Sequence, residues 1–189
     1  MMKLYSIKGV LFLMNVFRKF VFPALTGFVS APVSAALSLL LFVYLPGSVQ
    51  RAFDMDSIAL PVMMTLSAFL LYAALMYSMK YRSVITRDDQ EEKPAVFTAL
   101  FLAGSALAAV WAMLFAFAFD WSGAATLVMI CYMIICDLVV ILAFTLVLMI
   151  VRWLLSRMGK NNGFLDTLKW RLPLSLLFFA VVFAALLLF

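Results

Sequence analysis

The sequence predicts an all-α fold: a polytopic membrane helix bundle with five transmembrane helices, its N-terminus cytoplasmic and its C-terminus outside, led by a short N-terminal interfacial amphipathic helix. Three observations predict it. The 189 residues are 68% hydrophobic and only 12% charged, whereas a soluble domain averages about 45–50% and about 25%; mean hydropathy is +1.16. The charged residues leave five stretches long enough to cross a bilayer, which takes about 20 residues of helix. Finally, of 14 Lys and Arg residues all but Arg51 fall on one side of those stretches.

The elements follow in chain order as a single transmembrane domain, residues 1–189. Leu4 to Phe17 is apolar but interrupted by Lys8 and Asn15 and closed by Arg18 and Lys19. That is too short for a span and polar along one side, so it reads as a helix lying in the membrane interface. A cleaved signal peptide competes with this reading, but the small-residue region at Ser30 and Ala31 runs straight into Pro32 and more apolar sequence. The spans are expected at about 20–46, 57–79, 94–119, 121–151 and 172–189, because a charge at the bilayer centre costs at least about 2.5–3.5 kcal/mol. Cytoplasmic loops are expected at 80–93 and 152–171. In the second of these, Asn161-Asn162-Gly163 is a turn signal and Phe164 to Arg171 reads as a short surface helix. Pro173 then falls in the first turn of the last span, where its missing N–H costs little.

Orientation follows from the basic residues. Lys3, Lys8, Arg18 and Lys19 precede the first span. Lys80, Arg82, Arg87 and Lys93 lie in the second connection, and Arg152, Arg157, Lys160, Lys169 and Arg171 in the fourth. Basic residues are retained on the cytoplasmic side during insertion, so that side holds the N-terminus. The formal charge of +5 is therefore topological and anionic lipid is its natural counterpart; no nucleic acid is implied. Tyr77, Tyr81, Trp153 and Trp170 fall at the inner boundary and Tyr44 and Trp121 at the outer one, as membrane belts do.

Small residues mark where helices pack, because lipid supplies little hydrophobic force between them. In the first span Gly27, Ala31 and Ala35 form one row and Ser30, Ser34 and Ser38 another; in the third, Gly104, Ala108, Ala112 and Ala116 form a third. Each is either a seam within the bundle or a docking face for another protein's membrane helix. Pro32 removes the partner of the Phe28 carbonyl, so a kink or break is expected there, of the kind found at transporter binding sites and also in ordinary membrane helices.

Asp137 carries the most chemical information. It sits near the middle of the fourth stretch, and a carboxyl at that depth either exchanges a proton, holds a cation, or serves as neutral glue bonded across helices. Its expected partners are Ser105, Ser67, Tyr72 or a serine of the first span. The other polar concentration, Asp88, Asp89, Glu91 and Glu92 in the cytoplasmic loop, resembles a magnesium-diphosphate site only in having paired acids. A single cluster without a supporting arginine and glycine pattern reads as a solvated acidic loop.

Enzymatic chemistry is not expected. There is no histidine, hence no imidazole base or metal ligand, and no nucleophile–base pair, metal-ligand cluster or phosphate-cradling glycine loop stands in the sequence. Cys131 and Cys136 are five apart on one helix, about 140° around it, and cannot bridge each other. No cofactor or metal is expected. Two functions remain. One is an integral inner-membrane protein of bacterial type that binds another membrane protein, or itself, through its spans, as accessory subunits, assembly factors, exclusion factors and toxin-immunity proteins do. The other is a small proton- or cation-linked transporter or channel subunit that uses Asp137.

Overall fold

The structure, a computed structural model, describes residues 14, 16–44, 55–85, 94–118, 124–158 and 168–188. Five helices account for nearly all of them: α1 (Phe22–Val43), α2 (Met55–Ile85), α3 (Pro94–Ala118), α4 (Ala124–Arg157) and α5 (Leu168–Leu188). Among the described residues there is no strand. The stretches Phe17–Leu41, Pro61–Tyr81, Ala95–Ala118 and Ala124–Arg157 are helices long and apolar enough to cross a membrane, and the apolar part of α5, Pro173–Ala185, is shorter. Helix is what such sequence must form in lipid, where no water is present to satisfy a backbone group left out of an i→i+4 bond.

Several helix ends differ from the expected spans. Six residues expected in the loop 80–93 continue α2 to Ile85, α4 runs on past Val151 to Arg157, and α5 starts at Leu168, so that Leu168 to Arg171 is continuous with the last span. The physical reason is that charge sets where hydrocarbon ends, not where helix ends. A helix extends into the interface with its Lys and Arg side chains reaching water. The approach to the first span differs as well: Phe17–Val21 forms one π-helical turn, in which the Phe22 N–H bonds the Phe17 carbonyl. Pro23 explains it, since a wider turn removes the collision of its ring with the carbonyl four residues back. Apart from Met14, Val16 and Phe17, the expected interfacial helix lies outside the described residues.

Of the kink or break expected at Pro32, the break does not occur. α1 is continuous through it, so the loss is one backbone bond rather than an opening in the helix. α2 likewise runs through Pro61, where the Thr65 hydroxyl donates to the Pro61 carbonyl at 2.9 Å.

α1 packs against α3 and α2, and α4 closes the ring by packing against α3 and α2 and touching α1; α5 lies against α2. Each helix turns one stripe inward. On α4 it is Cys131, Met133, Ile134, Asp137, Ile141 and Phe144, and on α2 it is Met63, Ser67, Ala68, Leu71, Tyr72, Leu75 and Met76. The two stripes meet, which places Asp137 opposite Ser67.

Candidate intramembrane polar site

Asp137 is 0% exposed, and so is Ser67. The Ser67 hydroxyl donates to Asp137 Oδ2 at 2.5 Å, linking α4 to α2 across 70 residues of chain. Asp137 Oδ1 is equally buried and has no hydrogen-bond partner among the described residues. One carboxyl oxygen is thus satisfied and the other is not, in an interior where a lone polar group is costly.

Ser67 is placed for this role by its position on the inward stripe of α2. Five other hydroxyls of the bundle spend their proton locally, as a helix permits. Thr26 donates to Pro23, Ser34 to Ala31, Ser38 to Ala35, Ser78 to Leu75 and Thr145 to Leu142, all at 2.8–2.9 Å. The expected serine row of the first span is therefore not an array of donors aimed at Asp137, and its member Ser30 is half-buried.

The two other expected partners serve elsewhere. Ser105 donates to the carbonyls of Phe101, at 3.0 Å, and Gly27, at 3.2 Å, which makes it part of the α1–α3 contact. Tyr72 is buried in an aromatic cluster: its ring meets Phe144 edge-on at 5.1 Å and Phe179 at 6.2 Å, and Phe144 packs on Phe178 at 5.0 Å. Nothing in the sequence distinguished these phenylalanines from their lipid-facing neighbours Leu176 and Leu177, which are exposed.

The small-residue rows divide in use. Ala31 and Ala35 are fully buried, and Gly27 lies against the backbone of Phe101: a Cβ there would overlap the Phe101 carbonyl oxygen and stand 2.8 Å from its carbon. Gly104 faces Ala24 in the same way, with a Cβ falling 2.7 Å from the Ala24 carbonyl carbon. These two glycines let α1 and α3 touch backbone to backbone. Ala108 is buried too, but Ala112 and Ala116, further along the same row, are only half-buried. Around them Trp111, Met113, Leu114, Phe115 and Phe117 are exposed.

Further along α2 from Ser67, Arg171 Nη1 lies 3.7 Å from the Met76 sulfur, and on α4 the Arg157 guanidinium covers the Trp153 ring at 4.6 Å. The acidic residues Asp88, Asp89, Glu91 and Glu92 lie outside the described residues. Among the described residues no three His, Cys, Asp or Glu side chains come together, and Asp137 with Ser67 offers three side-chain oxygens.

No family model matches the chain, and no match was found among curated proteins or solved structures.

Proposed function

We propose that this chain is a non-enzymatic multi-pass membrane protein that acts by binding a transmembrane helix of another membrane protein along the outer part of α3. In this reading it spans a bacterial-type inner membrane five times, with the N-terminus cytoplasmic and the C-terminus outside. What supports it is the split use of one small-residue row. Gly104 and Ala108 are consumed inside the bundle, while Ala112 and Ala116 continue the row onto a part of α3 whose flanking residues are largely exposed. Small residues allow close approach between helices in lipid, and the exposed Trp111 and Phe115, with rings 5.6 Å apart, offer a large apolar surface beside them.

The test is co-purification in lipid nanodiscs of the tagged chain and of Ala112→Leu/Ala116→Leu. The reading expects a stoichiometric membrane protein with the wild type that is lost with the double variant, while the variant's own unfolding is unchanged. Retention of the same protein by the double variant sinks the reading, as does a wild-type chain that purifies alone.

A second reading, a proton- or cation-linked transporter or channel subunit, draws support from a different observation: the fully buried carboxyl of Asp137 with one oxygen unpartnered. Its test is proton or cation flux in liposomes, with Asp137→Asn as the inactive control.

A further inference from the structure

We infer that Asp137 and Ser67 form a proton-binding site shared by α4 and α2, and that the bound proton decides whether these two helices stay closed on each other. Oδ2 is satisfied by Ser67, and Oδ1 is buried with no partner among the described residues. Among the described residues the Ser67 hydroxyl, and no Lys or Arg, acts on the carboxyl. A carboxylate here would hold a full charge in the bundle interior against a single hydroxyl, and an uncompensated buried charge is far more expensive than an unmade neutral hydrogen bond.

The occupant of such a site is a proton rather than a metal cation. A cation stripped of its water takes about six or more oxygens, and Asp137 with Ser67 supplies three. A proton needs one. With the proton on Oδ1 and Ser67 donating to Oδ2, the pair is neutral and α2 lies flat against α4. Release moves that proton to water and leaves the electron pair, and the charge, on the carboxylate. The carboxylate then requires water or further donors, which it obtains only if the α2–α4 contact opens.

The groups facing Asp137 leave this switch to the carboxyl itself. On α4 its neighbours are Cys131, Cys136 and the exposed Tyr132; from α2 come Ser67 and, beyond it, Tyr72 packed on Phe144. Arg171 of α5 lies beside Met76, on the far side of Tyr72 from Ser67. α1 and α3 contain no charged residue between Phe22 and Val43 or between Pro94 and Ala118. The inference is independent of partner binding on α3 and of whether the proton crosses the membrane.

The experiment uses the full chain in nanodiscs, in a Cys136→Ser background, with two readouts across pH. Infrared difference between wild type and Asp137→Asn reports the C=O stretch of a protonated carboxyl, which shifts in heavy water. Alkylation of Cys131, which is buried on the same stripe of α4, by a membrane-permeant maleimide reports opening. Dividing the wild-type rate by the Asp137→Asn rate removes the thiol's own titration.

The expected result is a protonated-acid band at neutral pH that vanishes on raising pH. Over the same interval the alkylation ratio rises from about one by about tenfold per pH unit, the slope of one proton. Ser67→Ala keeps the acid and removes its one partner, so it must displace both transitions together; it also serves should Asp137→Asn fail to fold. Absence of the band at neutral pH overturns the inference, as does a band that titrates while the ratio stays flat. A band that persists to alkaline pH assigns Asp137 to structural glue and overturns it equally.

Discussion

Alanine at Gly27 or Gly104 tests whether α1 and α3 are joined through their backbones. At Gly27 the added methyl overlaps the Phe101 carbonyl and falls 3.1 Å from its Cα; at Gly104 it falls 2.9 Å from Ala24 Cα. In both cases the obstacle is backbone, which cannot step aside as a side-chain tip can, so the helices must separate. Overpacking of this sort costs about 1–3 kcal/mol, and the unyielding obstacle argues for the upper end. Gly27→Ala also strains the Ser105 hydrogen bond to the Gly27 carbonyl, worth about 0.6 kcal/mol on the membrane-protein average. Against these, alanine gains about 1 kcal/mol of helix propensity over glycine. The net expectation is a loss of about 2 kcal/mol for each variant. Because one outward movement of α1 relieves both collisions, the double variant is expected to lose about 3 kcal/mol rather than about 4, a coupling within the range for residues sharing a contact. The assay is SDS-driven unfolding from mixed micelles followed by near-ultraviolet circular dichroism, with exposed Ala106→Leu as a control within about 0.5 kcal/mol of wild type. Single variants indistinguishable from that control, or a double variant that loses the full sum, would refute the backbone contact.

Asp137→Val removes a buried carboxyl with an unpartnered oxygen, so in the same titration it is expected to unfold at equal or higher detergent, a gain of up to about 1–3 kcal/mol. A clear loss would make the carboxyl a structural necessity instead. Phe179 meets Phe69 and Phe144, each at 6.1 Å; Phe179→Ala, a change that costs about 3–5 kcal/mol in packed cores, is expected to free α5 from α2, seen as faster hydrogen exchange in α5 with α1 and α3 unaffected. Uniform acceleration across all helices would show instead that α5 is integral to the bundle. Reporter fusions test the orientation: an alkaline phosphatase fused after Phe189 is expected to be active and a fluorescent protein there dark, with the opposite pair after Arg87; the reverse pattern overturns the positive-inside reading.

The sequence was informative where lipid leaves a signal and silent where it does not. In water a helix betrays its inner face by alternating apolar and polar residues. Here both faces are apolar, so only small and polar residues could mark the inside. That is why Ser67, Gly27 and Gly104 were legible as packing positions, and why Phe144 and Phe179, both buried, could not be told from exposed Leu176 and Leu177. The same limit applies to Asp137. Its depth was readable from the charge-free flanks, but choosing Ser67 over Ser105 and Tyr72 as its partner required knowing which helices adjoin. Helix ends were misjudged for another reason: the spans were expected to stop at the charges of Lys80 and Arg152, and α2 and α4 continue past them. At Pro32 the helix does not break, since one missing N–H in a helix held on both sides costs less than breaking it.

Two of the joints in the bundle differ in kind. α1 and α3 meet at two glycines, with carbonyl groups lodged where side chains would otherwise stand, and the Ser105 hydroxyl spans the gap. Such a contact is steric and insensitive to pH. Across the ring, α2 and α4 share a different kind of contact, centred on one hydroxyl and one carboxyl, with an oxygen to spare. Selection for stability alone has a cheaper solution at that position, an apolar side chain of similar size that leaves nothing unpaired. A carboxyl kept in the least favourable place for it, on the joint that a proton can alter and away from the joint that it cannot, makes α1 with α3 the fixed half of the molecule and the α2–α4 contact its adjustable one.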